Sequence, residues 1–189
     1  MVFLPSRALV AIMGLCCIAL TTSSCKQRPS APAVPALAPS PAQPPSMTLD
    51  QANTTAWTNA WTNLGNDVRQ TFTPSLPKMV GVEVELVVGN PGPPDDTLTM
   101  VLLDASERSV AVVSKTVPTA NCEHVLFVFP NGGAEVSPGQ LYSLRLSGGG
   151  TFGWKYVVGG YEKGSASFNG KPLLREARST FLFRTFGTK

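Results

Sequence analysis

Charge is scarce in this chain, and histidine is almost missing. Of 189 residues only 14% are charged, and there is one histidine and four cysteines. A single histidine, His124, denies the chain a multi-histidine metal centre, and no G-x-S-x-G elbow accompanies it for Ser/His/Asp catalysis. Basic excess is missing as well. The formal charge is +3, but Arg7, Lys26 and Arg28 all precede residue 29. From Met47 onward twelve basic residues face twelve acidic ones, so no cationic face is available to neutralise phosphates, and nucleic acid is excluded as a partner. The longest apolar run, Ala8 to Leu20, has thirteen residues, whereas a membrane-spanning helix needs roughly 20.

Thirteen residues behind a positively charged start suit the h-region of a signal peptide. Small residues, Thr21 to Ser24, then lead to Cys25. This run resembles the lipobox of bacterial lipoproteins, although Thr22 stands where that motif usually carries leucine. The resemblance implies a diacylglyceryl group on the Cys25 sulfur, cleavage of segment 1–24, and a membrane partner held through the lipid. An ordinary secretory signal, with Cys25 unmodified, is the alternative. Lys26 rather than Asp after the cysteine is similar to the outer-membrane sorting pattern of enteric bacteria, which implies a location in the cell envelope, at the outer membrane. Cys16 and Cys17 would leave with the signal. Only Cys122 then remains, so the folded part must depend on its core rather than on disulfides.

Segment 25–46 is a tether. Pro29 to Ser46 contains seven prolines and five alanines, a composition that cannot bury a core and favours extended polyproline II. At about 3.1 Å per residue it reaches roughly 55 Å.

Residues 47–189 read as one all-β domain. Met79 to Val88 alternates, with Val80, Val82, Val84, Leu86 and Val88 on one face and Gly81, Glu83, Glu85 and Val87 on the other. Further strands are expected near 97–104, 110–117, 123–129, 137–147, 151–158, 165–169 and 180–186, parted by Gly- and Pro-rich turns. With a strand from Val68, about nine strands predict a two-sheet antiparallel β-sandwich of jelly-roll type. Tyr142, three residues after Gly139 and entering an alternating strand, is placed to bond its hydroxyl to nearby backbone. Ala56 to Asn63 is a tandem repeat carrying Trp57 and Trp61; it predicts a short helix or irregular lead-in, with Asp50 as a possible cap.

Four segments carry a further resemblance: Gln70 to Pro77, the strand Val82 to Leu86, Ser137 to Tyr142, and Phe183-Arg184-Thr185-Phe186. Together they resemble a bacterial extracytoplasmic module in which a Gln-x-Phe strand opens a jelly roll and a Phe-Arg-Thr-aromatic strand closes it. It is similar to carbohydrate-binding and galactose-binding-like sandwiches and covers about residues 68–187. The resemblance implies a fold and carries no ligand residue.

No catalytic set is assembled. Cys122 and His124 lack the third and fourth ligands zinc requires. Gly148 to Gly153 spells G-x-G-x-x-G, but a strand rather than a helix follows. Glu83 with Glu85, or Asp95 with Asp96, would pair acids for glycoside hydrolysis, but the first pair falls on a solvent face and the second in a loop. Asp95, Asp96 and Asp104 are candidate ligands of a structural calcium ion. Trp154, Tyr156 and Tyr161 are the candidate sugar-stacking aromatics, equally suited to the core. The expectation is a non-catalytic binding or structural module whose partner is a cell-surface glycan or an envelope protein, with no cofactor beyond the lipid. The alternative is a glycan-active hydrolase or an accessory subunit of one.

Overall fold

The computed structural model describes residues 46–54, 60–174 and 178–189. These belong to the unit Ala42–Lys189. The signal segment, Cys25, the tether up to residue 45, and Trp57 lie outside the described residues.

Fourteen strands form among the described residues: β1 (Thr48–Asn53), β2 (Trp61–Asn63), β3 (Val68–Phe72), β4 (Lys78–Val88), β5 (Asp95–Leu103), β6 (Ser109–Pro118), β7 (His124–Val128), β8 (Ala134–Glu135), β9 (Tyr142–Ser147), β10 (Phe152–Val158), β11 (Ala166–Phe168), β12 (Lys171–Pro172), β13 (Ser179–Phe181) and β14 (Phe183–Thr188). Two short 3₁₀ turns, Thr119–Asn121 and Pro130–Gly132, are the only helical pieces among them. One sheet runs β12-β11-β3-β9-β5-β6. The other runs β1-β14-β4-β10-β13, with β7 and β8 beside β4 and β2 beside β10. All pairings are antiparallel. The two sheets enclose a core of Phe72, Leu98, Met100, Leu144 and Leu146 from one side and Val82, Val84, Leu86, Phe127, Trp154 and Phe183 from the other. An antiparallel β-sandwich is therefore the architecture, as the alternation in the sequence requires.

The differences from expectation are local. Of the tandem repeat only residues 60–63 are described, and there Trp61–Asn63 is a strand paired with β10; upstream, Thr48–Asn53 is a strand paired with β14. Asp50 caps no helix; its carboxylate accepts the Ser75 N–H at 3.0 Å. The closing segment expected as one strand breaks at Leu182. That residue donates its N–H to the Lys155 carbonyl at 3.0 Å, and its carbonyl accepts from the Glu85 N–H at 3.3 Å. The break sends β13 to β10 and β14 to β4. Val88 leaves the core face at the end of β4 and is 43% exposed. Tyr142 does form the expected corner, its hydroxyl accepting the Ser137 N–H at 3.0 Å.

Candidate functional site

Three connections meet at one end of the sandwich: the β2–β3 turn (residues 64–67), the β4–β5 loop (89–94) and the β9–β10 loop (148–151). Their sequences are rich in Gly, Pro and Asn because the loops must pack closely and bend sharply. Gly150 has φ +95°, which side chains rarely adopt. A Cβ on Gly92 would lie 2.4 Å from the Thr151 hydroxyl, so the β4–β5 loop needs its glycine to approach the β9–β10 loop. Two asparagine amides then converge on one carbonyl: Asn63 and Asn90 both donate to the Gly150 oxygen, at 2.9 and 3.0 Å. Asn63 also accepts the Gly65 N–H at 2.6 Å. Asp96 accepts the Gly149 N–H with both oxygens, at 2.9 and 3.2 Å. Side-chain bonds thus hold the three loops together, and a pre-formed shape results.

Two cavities adjoin here, of about 620 and about 440 Å³, and Gly65 and Asn66 line both. The smaller is walled by Asn63, Asn90 and the proline-rich β4–β5 loop. The larger is walled by Asp67, Arg145, Ser147 and Asn169. Arg145 stands directly opposite Arg69 across β9 and β3. Arg69 is neutralised by Asp67 at 2.8 Å and Glu107 at 2.6 Å, which raises its pKa further. Arg145 forms no ion pair, and Asn66 no side-chain hydrogen bond, among the described residues. Both present unspent polar groups to the larger cavity.

Beside this end lies an aromatic surface. Trp61 is two residues along β2 from Asn63, and its indole packs on Gly89 and Gly153. A Cβ at Gly89 would fall 2.6 Å from the Trp61 Cζ3, and one at Gly153 would fall 2.2 Å from Cε3. Two glycines therefore make the seat for the ring, which remains 37% exposed. The tandem Trp repeat was the sequence signal for this residue. Its alternation, Trp61 and Asn63 on one face of a strand running into a Gly turn, is what relates it to the loops.

The residues singled out in the sequence are distributed differently. Trp154 is fully buried, stacked on Phe181 with ring centroids 4.4 Å apart, and its indole N–H donates to the Leu182 carbonyl at 2.9 Å. It offers no face to a sugar. Tyr161 is also buried, edge-on to Phe183, and its hydroxyl donates to Gln51 Oε1 at 3.1 Å. Burial pushes its phenol pKa up. Tyr156 is half-buried and edge-on to Phe181. These three aromatics do not make an open platform. Asp95 and Asp96 open β5 while Asp104 follows its end, so at about 3.3 Å per residue roughly 30 Å separates them and one calcium ion cannot bridge all three. Asp104 instead accepts from Ser106 N–H, Arg108 N–H and the Arg108 guanidinium, at 2.8, 3.0 and 2.8 Å. Among the described residues, no three Asp, Glu, His or Cys side chains group to hold a metal ion.

Glu83 pairs with Arg184 on the outer face, with His124 Nδ1 at 3.9 Å. Cys122 is buried, and burial raises its thiol pKa, while His124 is exposed. The Gly149 N–H of the G-x-G-x-x-G segment is already taken by Asp96 rather than left open to a phosphate.

No known family matches the chain, and no curated protein matches it in sequence. Function must therefore be argued from the loop end itself. A pre-formed hollow with amide, hydroxyl and guanidinium groups can donate to and accept from vicinal hydroxyls, and the partly exposed Trp61 indole, two residues along β2 from Asn63, can stack against the apolar face of a sugar ring. The nearby carboxylates, Asp67 and Asp96, are occupied by Arg69 and Gly149.

Proposed function

We propose that this chain is a membrane-tethered, non-catalytic module that binds a glycan of the cell envelope at the loop end of its sandwich. Lipid on Cys25 would anchor it, at the outer membrane, and segment 25–46 would hold the domain clear of the headgroups. The observation that supports the reading best is the adjoining pair of cavities sharing Gly65 and Asn66, with Arg145 and Asn66 unspent in the larger and Asn63 of the smaller two residues along β2 from the exposed Trp61. Carboxylates engaged in ion pairs and loop bonds do not suit general acid and base roles, which favours binding over hydrolysis.

The test uses full-length protein, purified from membranes, titrated with envelope polysaccharides and their oligosaccharides by calorimetry. Binding that is lost on Arg145→Ala and on Trp61→Ala, with no release of reducing sugar, supports the module. Turnover abolished by Asp67→Asn or Asp96→Asn would establish a hydrolase instead. The anchor is tested separately: Cys25→Ala should abolish radiolabelled palmitate incorporation and leave an uncleaved precursor. A wild-type protein whose mature N-terminus lies elsewhere would remove the lipid anchor from the proposal.

A further inference from the structure

The larger hollow at the loop end holds more hydrogen-bond donors than the fold uses. Arg145 and Ser147 lie two residues apart on β9, on the face turned away from the core residues Leu144 and Leu146. Neither the Arg145 guanidinium nor the Ser147 hydroxyl makes a hydrogen bond or ion pair among the described residues. Asn66, in the β2–β3 turn, uses neither its main-chain N–H nor its side-chain amide. Asn169, in the β11–β12 turn, accepts the Asp67 N–H with Oδ1 at 3.2 Å, and its amide nitrogen is unengaged among the described residues. Arg145, Ser147 and Asn66 are half-buried, and partial burial makes an unmet donor costly.

The charge in this hollow is one-sided as well. Its single carboxylate, Asp67, is held by Arg69 at 2.8 Å, and Arg69 takes Glu107 too, at 2.6 Å. Arg145 stands directly opposite Arg69 across β3 and β9, where like charges repel. On the other side of β9 it faces Val101 of β5, which has no group to offer a cation. The cross-strand neighbours of Arg145 are thus an arginine and a valine. No residue of the fold meets its charge, and an anion from outside would.

We propose, resting on the glycan reading, that the bound glycan is acidic and that the larger hollow takes the carboxylate of a uronic acid residue on the Arg145 guanidinium. A guanidinium presents two parallel N–H groups that match the two oxygens of a carboxylate. The Ser147 hydroxyl, the Asn66 amide and the Asn169 amide nitrogen line the same hollow and donate to the hydroxyls that flank the carboxylate. Asp67 does not oppose the incoming anion with a bare charge, because Arg69 already neutralises it. A neutral sugar would leave the guanidinium as unmet as it is in the free protein. The smaller hollow has no charged side chain in its wall, so the discrimination between acidic and neutral sugars falls to Arg145.

The experiment titrates full-length protein in detergent with polygalacturonate and with alginate, each beside its carboxyl-reduced, neutral counterpart. The acidic polymer of at least one pair should bind roughly 10- to 100-fold more tightly, the span expected for one charge-assisted pair. Arg145→Gln should bring that ratio close to one. Arg145→Lys should leave an intermediate ratio, because an ammonium keeps the charge without the fork. Lys163→Gln, at an exposed cation that lines neither hollow, should leave the ratio as in wild type. Equal binding of acidic and neutral polymers would overturn the acidic class while the glycan reading stands. A ratio unchanged in Arg145→Gln would overturn it too, since the carboxylate would then be read elsewhere. Polyglycerol phosphate displacing the uronate polymer at lower concentration would do the same, because the hollow would then suit phosphate better. Binding of none of the four polysaccharides would remove the glycan reading and the acidic class together.

Discussion

Gln70, in the middle of β3, accepts the Phe181 N–H of β13 with its side-chain oxygen at 2.7 Å, and so joins the two sheets through the interior. Its amide nitrogen donates to the Thr71 carbonyl at 2.8 Å. The Phe181 carbonyl is taken in turn by Asn53 Nδ2 of β1 at 2.7 Å. Main-chain groups of β13 that the sheets cannot serve are thus met by amide side chains. A buried donor left alone costs more than the bond itself contributes.

Gln70→Leu keeps most of the volume but strands the Phe181 N–H. The expected loss is about 1–3 kcal/mol, read as a lower urea midpoint with an unchanged slope. An unchanged midpoint would mean that the N–H finds another partner and that Gln70 is not the join between the sheets.

Trp154 and Trp61 should separate stability from binding. Trp154→Ala removes a fully buried indole and is expected to cost about 3–5 kcal/mol. Trp61→Ala removes a ring seated on two glycines but 37% exposed, and should cost about 1–2 kcal/mol of stability from urea unfolding, less than Trp154→Ala, while abolishing glycan binding. If Trp61→Ala binds as well as wild type, the aromatic part of the proposed site is wrong.

Much of the fold was legible in the sequence because the sandwich is built from period-2 alternation. Val82, Val84 and Leu86 on β4, and Tyr142, Leu144 and Leu146 on β9, announce their faces directly. The Gln-x-Phe and Pro-Gly-x-x-Tyr segments were legible as fold, and the bonds of Gln70 and Tyr142 give the physical reason. The site was less so. Trp154 and Trp61 are both strand tryptophans, and only the register decides which is buried. Lys155 opposite Trp61 puts Trp61 outside, while Trp154 points between the sheets. Nor does sequence spacing reveal that Asn63 and Asn90, twenty-seven residues apart, share the Gly150 carbonyl.

The β5–β6 turn should be acid-sensitive. Bonds from the Arg108 N–H and guanidinium and from the Ser106 N–H hold the Asp104 carboxyl below the usual carboxylate range. A carboxylate with a lower pKa in the folded than in the unfolded state stabilises above the unfolded value, about 3.9, and that stabilisation fades as pH falls through the folded value. Protection of the Ser106 and Arg108 amides from hydrogen exchange should therefore hold from neutral pH to about pH 4 and drop below it. In Asp104→Asn the protection should already be low at neutral pH and change little on acidification. An Asp104→Asn profile that still drops on acidification like wild type would place the acid-sensitive group elsewhere.

Gly153 and Trp61 make the sharpest pairwise test of the aromatic surface. A methyl at Gly153 would lie 2.2 Å from Trp61 Cε3 and 2.9 Å from Cδ2, closer than Cβ contacts allow. The backbone of β10 is fixed by pairing on both sides, to β4 and to β2, so the indole must move. Gly153→Ala is expected to cost about 1–3 kcal/mol, and to weaken glycan binding as Trp61→Ala does. In the Trp61→Ala background the clash is gone, and Gly153→Ala should then cost almost nothing. The two changes together would show an interaction energy of at least about 1 kcal/mol in a double-mutant cycle of urea midpoints. Equal costs in both backgrounds would mean that Gly153 is needed for its own backbone, that the ring does not rest on it, and that the aromatic surface is not held in the form described.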